Sequence, residues 1–216
     1  MPQWGRILLG GIGCFLLAWA GLGKVGSAIP LWLPDALLIV LVLDQSGRAL
    51  AAGLIAGFAG IVLADVAVAG APTVPGLLLA AASGLHAALA RVLLTRVAPA
   101  ARYLDAPGAL ARLLLWCALV TPLPAAALAA IPAAAAGWVQ AVHGFVFWWL
   151  ASAAGTAVLL PFMLSLAHSP PVERGLFRGR YREALVVLAI TALAAAVGWQ
   201  TDGMFPLLLA VPLLLW

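Results

Sequence analysis

Residues Ala184–Val197 read Ala-Leu-Val-Val-Leu-Ala-Ile-Thr-Ala-Leu-Ala-Ala-Ala-Val. The run has no polar–apolar alternation. A transmembrane β-strand would alternate, in segments of about 10 residues with one face on a polar lumen. An unbroken apolar run is instead the signature of a helix, whose backbone groups are satisfied within the segment. The rest of the chain is built alike: of 216 residues, 66% are hydrophobic and 8% charged, and the mean hydropathy is +1.16. A water-soluble domain carries about 25% charged residues. Eleven basic and seven acidic side chains cannot cover a soluble domain of 22.1 kDa. The expectation is an all-α integral membrane protein.

At roughly 20 apolar residues per span, the length accommodates about eight transmembrane helices and no soluble domain. Gly, Pro or charged punctuation places them near 7–23, 27–43, 49–68, 75–95, 110–131, 137–167, 183–199 and 204–216. Residues 1–216 are therefore read as a single transmembrane domain. Met1–Gly23 has the length of a signal peptide, but only Arg6 precedes its apolar run and Leu22-Gly23-Lys24 lacks a cleavage pattern, so it counts as a true span. Cys14 and Cys117 each lie inside an apolar run and read as packing residues.

Orientation follows from the cationic residues. With a cytoplasmic N-terminus, the inner segments hold Arg6, Arg48, Arg91, Arg96, Arg102, Arg112, Arg174, Arg178, Arg180 and Arg182, and the outer segments only Lys24. A ratio of ten to one puts N- and C-terminus both in the cytoplasm. No basic face carries interleaved aromatics, so nucleic acid is not an expected partner; the arginines suit an anionic leaflet. The last span, Met204–Trp216, reaches about 20 Å against a hydrocarbon core of about 30 Å. The expectation is therefore a longer polypeptide, continuing on the cytoplasmic side.

Four stretches stand in a suggestive order: Leu31-Trp32-Leu33-Pro34-Asp35-Ala36, Leu54-Ile55-Ala56-Gly57-Phe58-Ala59-Gly60, Ser83-Gly84-Leu85-His86 running on to Arg91-Val92-Leu93-Leu94, and Trp148-Trp149-Leu150-Ala151-Ser152-Ala153-Ala154-Gly155 before Leu160-Pro161. In this order and spacing the chain resembles the bacterial membrane-associated sensor (MASE) family of the first-described type. It departs from the family pattern at Ala36 (usually glycine), Ser152 (usually acidic) and His86 (often glutamate). The resemblance implies an eight-helix sensory input module in the bacterial inner membrane, fused at its C-terminus to a cytoplasmic signalling domain of cyclic-di-GMP cyclase or histidine kinase type. The partners it implies are the bilayer, that fused domain and, as an option, a second copy in a homodimer.

Polar groups in the bilayer need a reason, because a charge at its centre costs about 2.5–3.5 kcal/mol on insertion scales. Asp35, early in the second span, reads either as an interfacial carboxylate or as a ligand or proton contact in an outward-facing cavity. Asp65 reads as interfacial. His86 lies about 12 residues into the fourth span and His143 early in the sixth. Each is an interhelical hydrogen-bonding residue on one reading. On the other, the two are axial ligands of a haem b, beside the aromatic run Phe145, Phe147, Trp148 and Trp149. The Trp148–Trp149 pair reads as packing or as the wall of a ligand cavity. The candidate ligand-binding set is Trp32, Asp35, His86, His143, Trp148, Trp149 and Ser152. Neither a nucleophile elbow, a zinc-protease helix, a P-loop nor a Cys-x-x-Cys pair occurs, so no catalysis is expected within these residues. A small-molecule transporter or uptake subunit is the remaining alternative; discontinuous helices or inverted repeats would mark it.

Overall fold

The structure, a computed structural model, describes residues 3–22, 31–97 and 107–168. Their regular elements are all helices, with no strand among the described residues. Five segments are long and apolar enough to cross a membrane: Gln3–Leu22, Gly47–Ala69, Val74–Arg96, Leu110–Ala129 and Trp138–Leu164. The expected spans at 183–199 and 204–216 lie outside the described residues, as do Lys24, Arg102 and the arginines between 174 and 182.

In chain order the helices are α1 (Gln3–Leu22), α2 (Pro34–Leu43), α3 (Gly47–Ala69), α4 (Val74–Val97), α5 (Pro107–Leu113), α6 (Pro122–Ala129), α7 (Ile131–Ala134) and α8 (Trp138–His168). A π-helical stretch, Leu114–Val120, joins α5 to α6. Small residues set the closest approaches. At Gly60 of α3 a Cβ would collide with the carbonyl oxygen of Gly11 in α1, and at Gly57 with the side chain of Leu38 in α2. The small-residue pattern of the third span thus serves helix packing. Gly70 ends α3 in the left-handed region (φ 81°), and its N–H donates to the Val66 carbonyl at 2.8 Å.

Register contacts give the directions. α1 and α3 run parallel, through Gly11 against Ala56 and Gly60. Both are antiparallel to α2, through Gly10 and Gly53 against Leu41 and through Gly13 against Leu37. α2 and α4 run parallel, with Asp35 opposite His86 and Val42 opposite Arg91. One end of the bundle consequently collects Arg6, Arg48, Arg91 and Arg96.

One expectation is corrected here. In the second span, expected over 27–43, the described helix begins at Pro34: Leu31–Leu33 is non-helical and Pro34 occupies the first turn. Its 10 residues reach about 15 Å, half of an approximately 30 Å hydrocarbon core. The fifth span, expected near 110–131 with Pro122 and Pro124 interrupting it, is present as the apolar segment Leu110–Ala129, made of α5, the π-helical stretch and α6. Pro122 and Pro124 have no N–H to continue a regular ladder.

Candidate functional site

Helix α2 starts inside the bundle, and that decides where Asp35 sits. His86 lies 12 residues into α4 and Ser152 14 residues into α8, about 18 Å and 21 Å from the starts of those helices. Asp35 meets both side chains. Its carboxylate is therefore near mid-depth and 2% exposed, not at the outer interface as its place in a full-length span had suggested.

The non-helical segment before α2 needs partners for its backbone at that depth. Helix α8 supplies them. The Trp32 N–H donates to the Ala151 carbonyl at 3.0 Å. Gly155, one turn on, lets the Trp32 backbone lie directly on the α8 surface, since a Cβ there would stand 2.6 Å from the Trp32 carbonyl carbon. The small residues of Ala151-Ser152-Ala153-Ala154-Gly155 are thus a dock for irregular backbone.

The side chains above that dock form one cluster. Asp35 Oδ2 lies 2.8 Å from His86 Nδ1 and accepts a short hydrogen bond from the Ser152 hydroxyl. Ser152 Oγ is also 3.2 Å from His86 Nδ1. On the far side of the ring, His86 Nε2–H donates to the Cys117 carbonyl at 2.9 Å. The Trp32 indole N–H donates to Ser83 Oγ at 2.9 Å, and its ring meets Trp148 edge to face with centroids 5.4 Å apart.

The Cys117 carbonyl is available because of the prolines. In the π-helical register the Thr121 N–H bonds back to the Trp116 carbonyl at 2.9 Å. The next donor in that register would be residue 122, which is proline and has none. The orphaned Cys117 carbonyl is taken by the His86 ring and by the Thr121 hydroxyl at 3.1 Å. Likewise the Leu119 carbonyl, five residues before Pro124, accepts the Trp149 indole N–H at 2.9 Å.

A narrow cleft with room for about one water molecule opens beside this cluster. It is lined by Leu79, Ala82 and Ser83 of α4, Ala125, Ala126 and Ala129 of α6, and Trp32, Asp35, Trp148 and Ser152. Leu79 is in the first turns of α4, Ala129 ends α6 and Trp148 is in the first half of α8, so the cleft runs towards the end of the bundle away from the arginines. Asp35 Oδ1, buried, has no hydrogen-bond partner among the described residues.

Five of the seven expected site residues are thus brought together: Trp32, Asp35, His86, Trp148 and Ser152. Trp149 stands at the edge, tied to Leu119. His143 is on the exposed face of α8 and takes no part. The residues present do not suit the paired axial ligation of a haem: both nitrogens of His86 are committed, leaving no lone pair for iron, and His143 is not at the cluster. Asp65 accepts from the Thr73 N–H (2.7 Å) and hydroxyl (3.1 Å), capping the entry to α4. Ser83 and the Cys117 carbonyl belong to the cluster although sequence reasoning did not place them there. The proximity of two prolines to Cys117 was the available signal for the second.

Serine, histidine and aspartate meet here, but not as a hydrolytic triad. In a triad the serine and the carboxylate engage opposite ring nitrogens. Here both face Nδ1, and Nε2 is occupied by a backbone carbonyl. What the arrangement can do is hold a proton between carboxylate and imidazole and offer one open acceptor to a small donor in the cleft. No family model, curated protein or solved structure matches the chain.

Proposed function

We propose that this chain is a transmembrane sensory input module of the bacterial inner membrane, with about eight spans and both termini cytoplasmic. In this reading a small polar ligand enters from the outer face, engages the Asp35–His86–Ser152 cluster and regulates a C-terminally fused signalling domain, of cyclic-di-GMP cyclase or histidine kinase type. The observation that carries the reading is a narrow cleft lined by Asp35, a buried carboxylate whose Oδ1 has no hydrogen-bond partner among the described residues. The order of short motifs resembling the membrane-associated sensor family supports it. So does the segregation of Arg6, Arg48, Arg91 and Arg96 to one end, which the positive-inside rule makes cytoplasmic.

The lever would be α2. Its N-terminal end is tied to α4 and α8 through Asp35, and its C-terminal end to α4 through Arg91, whose Nε and guanidinium nitrogens donate to the Val42 carbonyl (3.0 Å) and the Gln45 carbonyl (2.6 Å). A hydrogen bond to a charged group contributes about 1.5–3 kcal/mol. A ligand forming one with Asp35 in only one of two states biases them by roughly tenfold to a hundredfold. In the full-length protein, Asp35→Asn and His86→Gln should each change cyclic-di-GMP production or kinase autophosphorylation several-fold at equal membrane abundance. Output identical to wild type in both variants would end this reading.

A second reading, a small-molecule transporter, has one observation in its favour. Helix α2 begins within the bundle after the non-helical residues Leu31–Leu33, as a half-helix of a discontinuous transporter span does. Solute flux in proteoliposomes that Asp35→Asn abolishes would favour it over the sensor.

A further inference from the structure

We infer that the Asp35–His86 pair is a proton-binding site inside the membrane, loaded through the cleft from the end of the bundle away from the arginines. The inference rests on the site of the proposed sensory function and names its ligand.

Proton bookkeeping around the ring carries the argument. Both nitrogens of His86 face acceptors: the Cys117 carbonyl at Nε2 (2.9 Å) and Asp35 Oδ2 at Nδ1 (2.8 Å). The Nε2 proton is fixed by a carbonyl that can only accept. A second proton must therefore lie between Nδ1 and Oδ2, whether it is drawn as imidazolium with carboxylate or as imidazole with carboxylic acid. The loaded pair is neutral overall, the favoured condition in a low-dielectric interior.

Ser152 touches both partners of the pair: its Oγ reaches Asp35 Oδ2 and His86 Nδ1, the latter at 3.2 Å. With the shared proton present, its hydroxyl donates to the carboxylate. With the proton gone, its single proton can serve the carboxylate or the Nδ1 lone pair but not both, and the carboxylate, which carries the charge, is the stronger acceptor. Asp35 lines the cleft and its Oδ1 has no hydrogen-bond partner among the described residues, so this oxygen is where the proton leaves and returns. The step balances simply: the shared proton passes through the carboxylate to water, leaving carboxylate and neutral imidazole, and nothing is oxidised or reduced.

The neighbours leave the pair to titrate as a unit. From α1 the Cys14 thiol donates to the Pro34 carbonyl at 4.0 Å, and the Cys117 thiol is buried in the π-helical stretch. α4 contributes Ser83, which accepts from the Trp32 indole, α8 contributes Ser152, and α6 has no ionisable side chain. Among the described charged residues of α1, α3 and α4, Asp65 is held by Thr73 and Arg91 by the carbonyls of Val42 and Gln45, while Arg6, Arg48 and Arg96 are exposed at the arginine-bearing end.

The test is a proton count. The full chain in nanodiscs, in unbuffered solution with an indicator dye, is titrated between about pH 10 and pH 5, so that the window also covers release against the cost of a net charge in the interior. Wild type should take up about one proton per chain more than Asp35→Asn, because the pair holds a single shared proton. The infrared difference between the two pH values should contain carboxylate and imidazole bands that Asp35→Asn removes. Ser152→Ala, which keeps both partners, should keep the proton and move the midpoint. Equal counts in folded wild type and Asp35→Asn, or an unaltered infrared difference, would overturn the inference. A midpoint that follows sodium concentration, with choline as the control salt, would overturn the proton as sole ligand. The two readings fail separately: a normal proton count with unresponsive output sinks the sensor alone, and altered output in Asp35→Asn without a missing proton sinks the proton site alone.

Discussion

Replacing Gly155 by alanine tests whether the irregular segment before α2 is held against α8. A Cβ at this position would lie 2.6 Å from the Trp32 carbonyl carbon and closer still to its oxygen, where real contacts do not fall below 3.0 Å. The obstacle is backbone, which cannot swing aside as a side-chain tip does. Restoring an ordinary contact pushes the Trp32 segment off α8 by about 1 Å. The Trp32 N–H to Ala151 bond, 3.0 Å at present, then stretches past hydrogen-bonding range. Overpacking costs about 1–3 kcal/mol and an orphaned buried N–H about 1–3 kcal/mol, so a loss of roughly 2–6 kcal/mol is expected. Gly84→Ala is the internal control, because nothing lies within 4 Å of a Cβ there and alanine favours helix by about 1 kcal/mol. Chemical unfolding in detergent, read by circular dichroism, measures both. Near-ultraviolet dichroism reports the Trp32–Trp148 edge contact directly. A Gly155→Ala variant within about 0.5 kcal/mol of wild type, the range of an uninvolved surface change, would refute the docked-backbone account.

Other consequences can be checked on the same material. Arg91→Met removes both donors to the end of α2 and should cost about 1.5–3 kcal/mol in the same unfolding assay. Asp65→Ala strips the cap from Thr73 and should cost about 1–2 kcal/mol, with faster amide exchange confined to Thr73–Gly76. Pro122→Ala restores a backbone N–H that competes for the Cys117 carbonyl, so nitrogen NMR of the His86 ring should report a weakened Nε2 bond. Reporter fusions at Gly70 and Ala134 should both read external, because those residues lie at the end of the bundle opposite the arginines; cytoplasmic readings at both would reverse the direction from which the cleft is entered.

The membership of the cluster was readable from residue type before its geometry was. Asp35, His86 and Ser152 are polar groups in apolar runs, which need partners whatever the fold. Trp32 and Trp148 carry an indole N–H or a large flat face beside them. What spacing could not show was that these five meet. They come from three parts of the chain, Asp35 being separated from His86 by 51 positions and from Ser152 by 117. His143 shows the converse: it has the same residue type and a similar aromatic setting, but its side of α8 faces outward. One step of 100° around a helix separates a buried position from an exposed one, and a helix apolar on all sides leaves no moment to tell them apart.

Composition alone determined the solvent: a chain with 8% charged residues cannot present a wetted surface, and in lipid its backbone must close on itself as helix. Cation placement in sequence set the expected orientation, because membrane topology responds to loop charge rather than to side-chain packing. Only the tertiary structure decided that α2 starts at mid-depth. A proline permits a helix to begin at residue 34, but hydropathy cannot distinguish an apolar extended segment from an apolar helix. The difference lies in whether a neighbour offers a carbonyl and a gap for the backbone. Ala151 and Gly155 do so, and by holding Trp32 against α8 they carry Asp35 from the interface to the centre of the bundle, against His86 and Ser152.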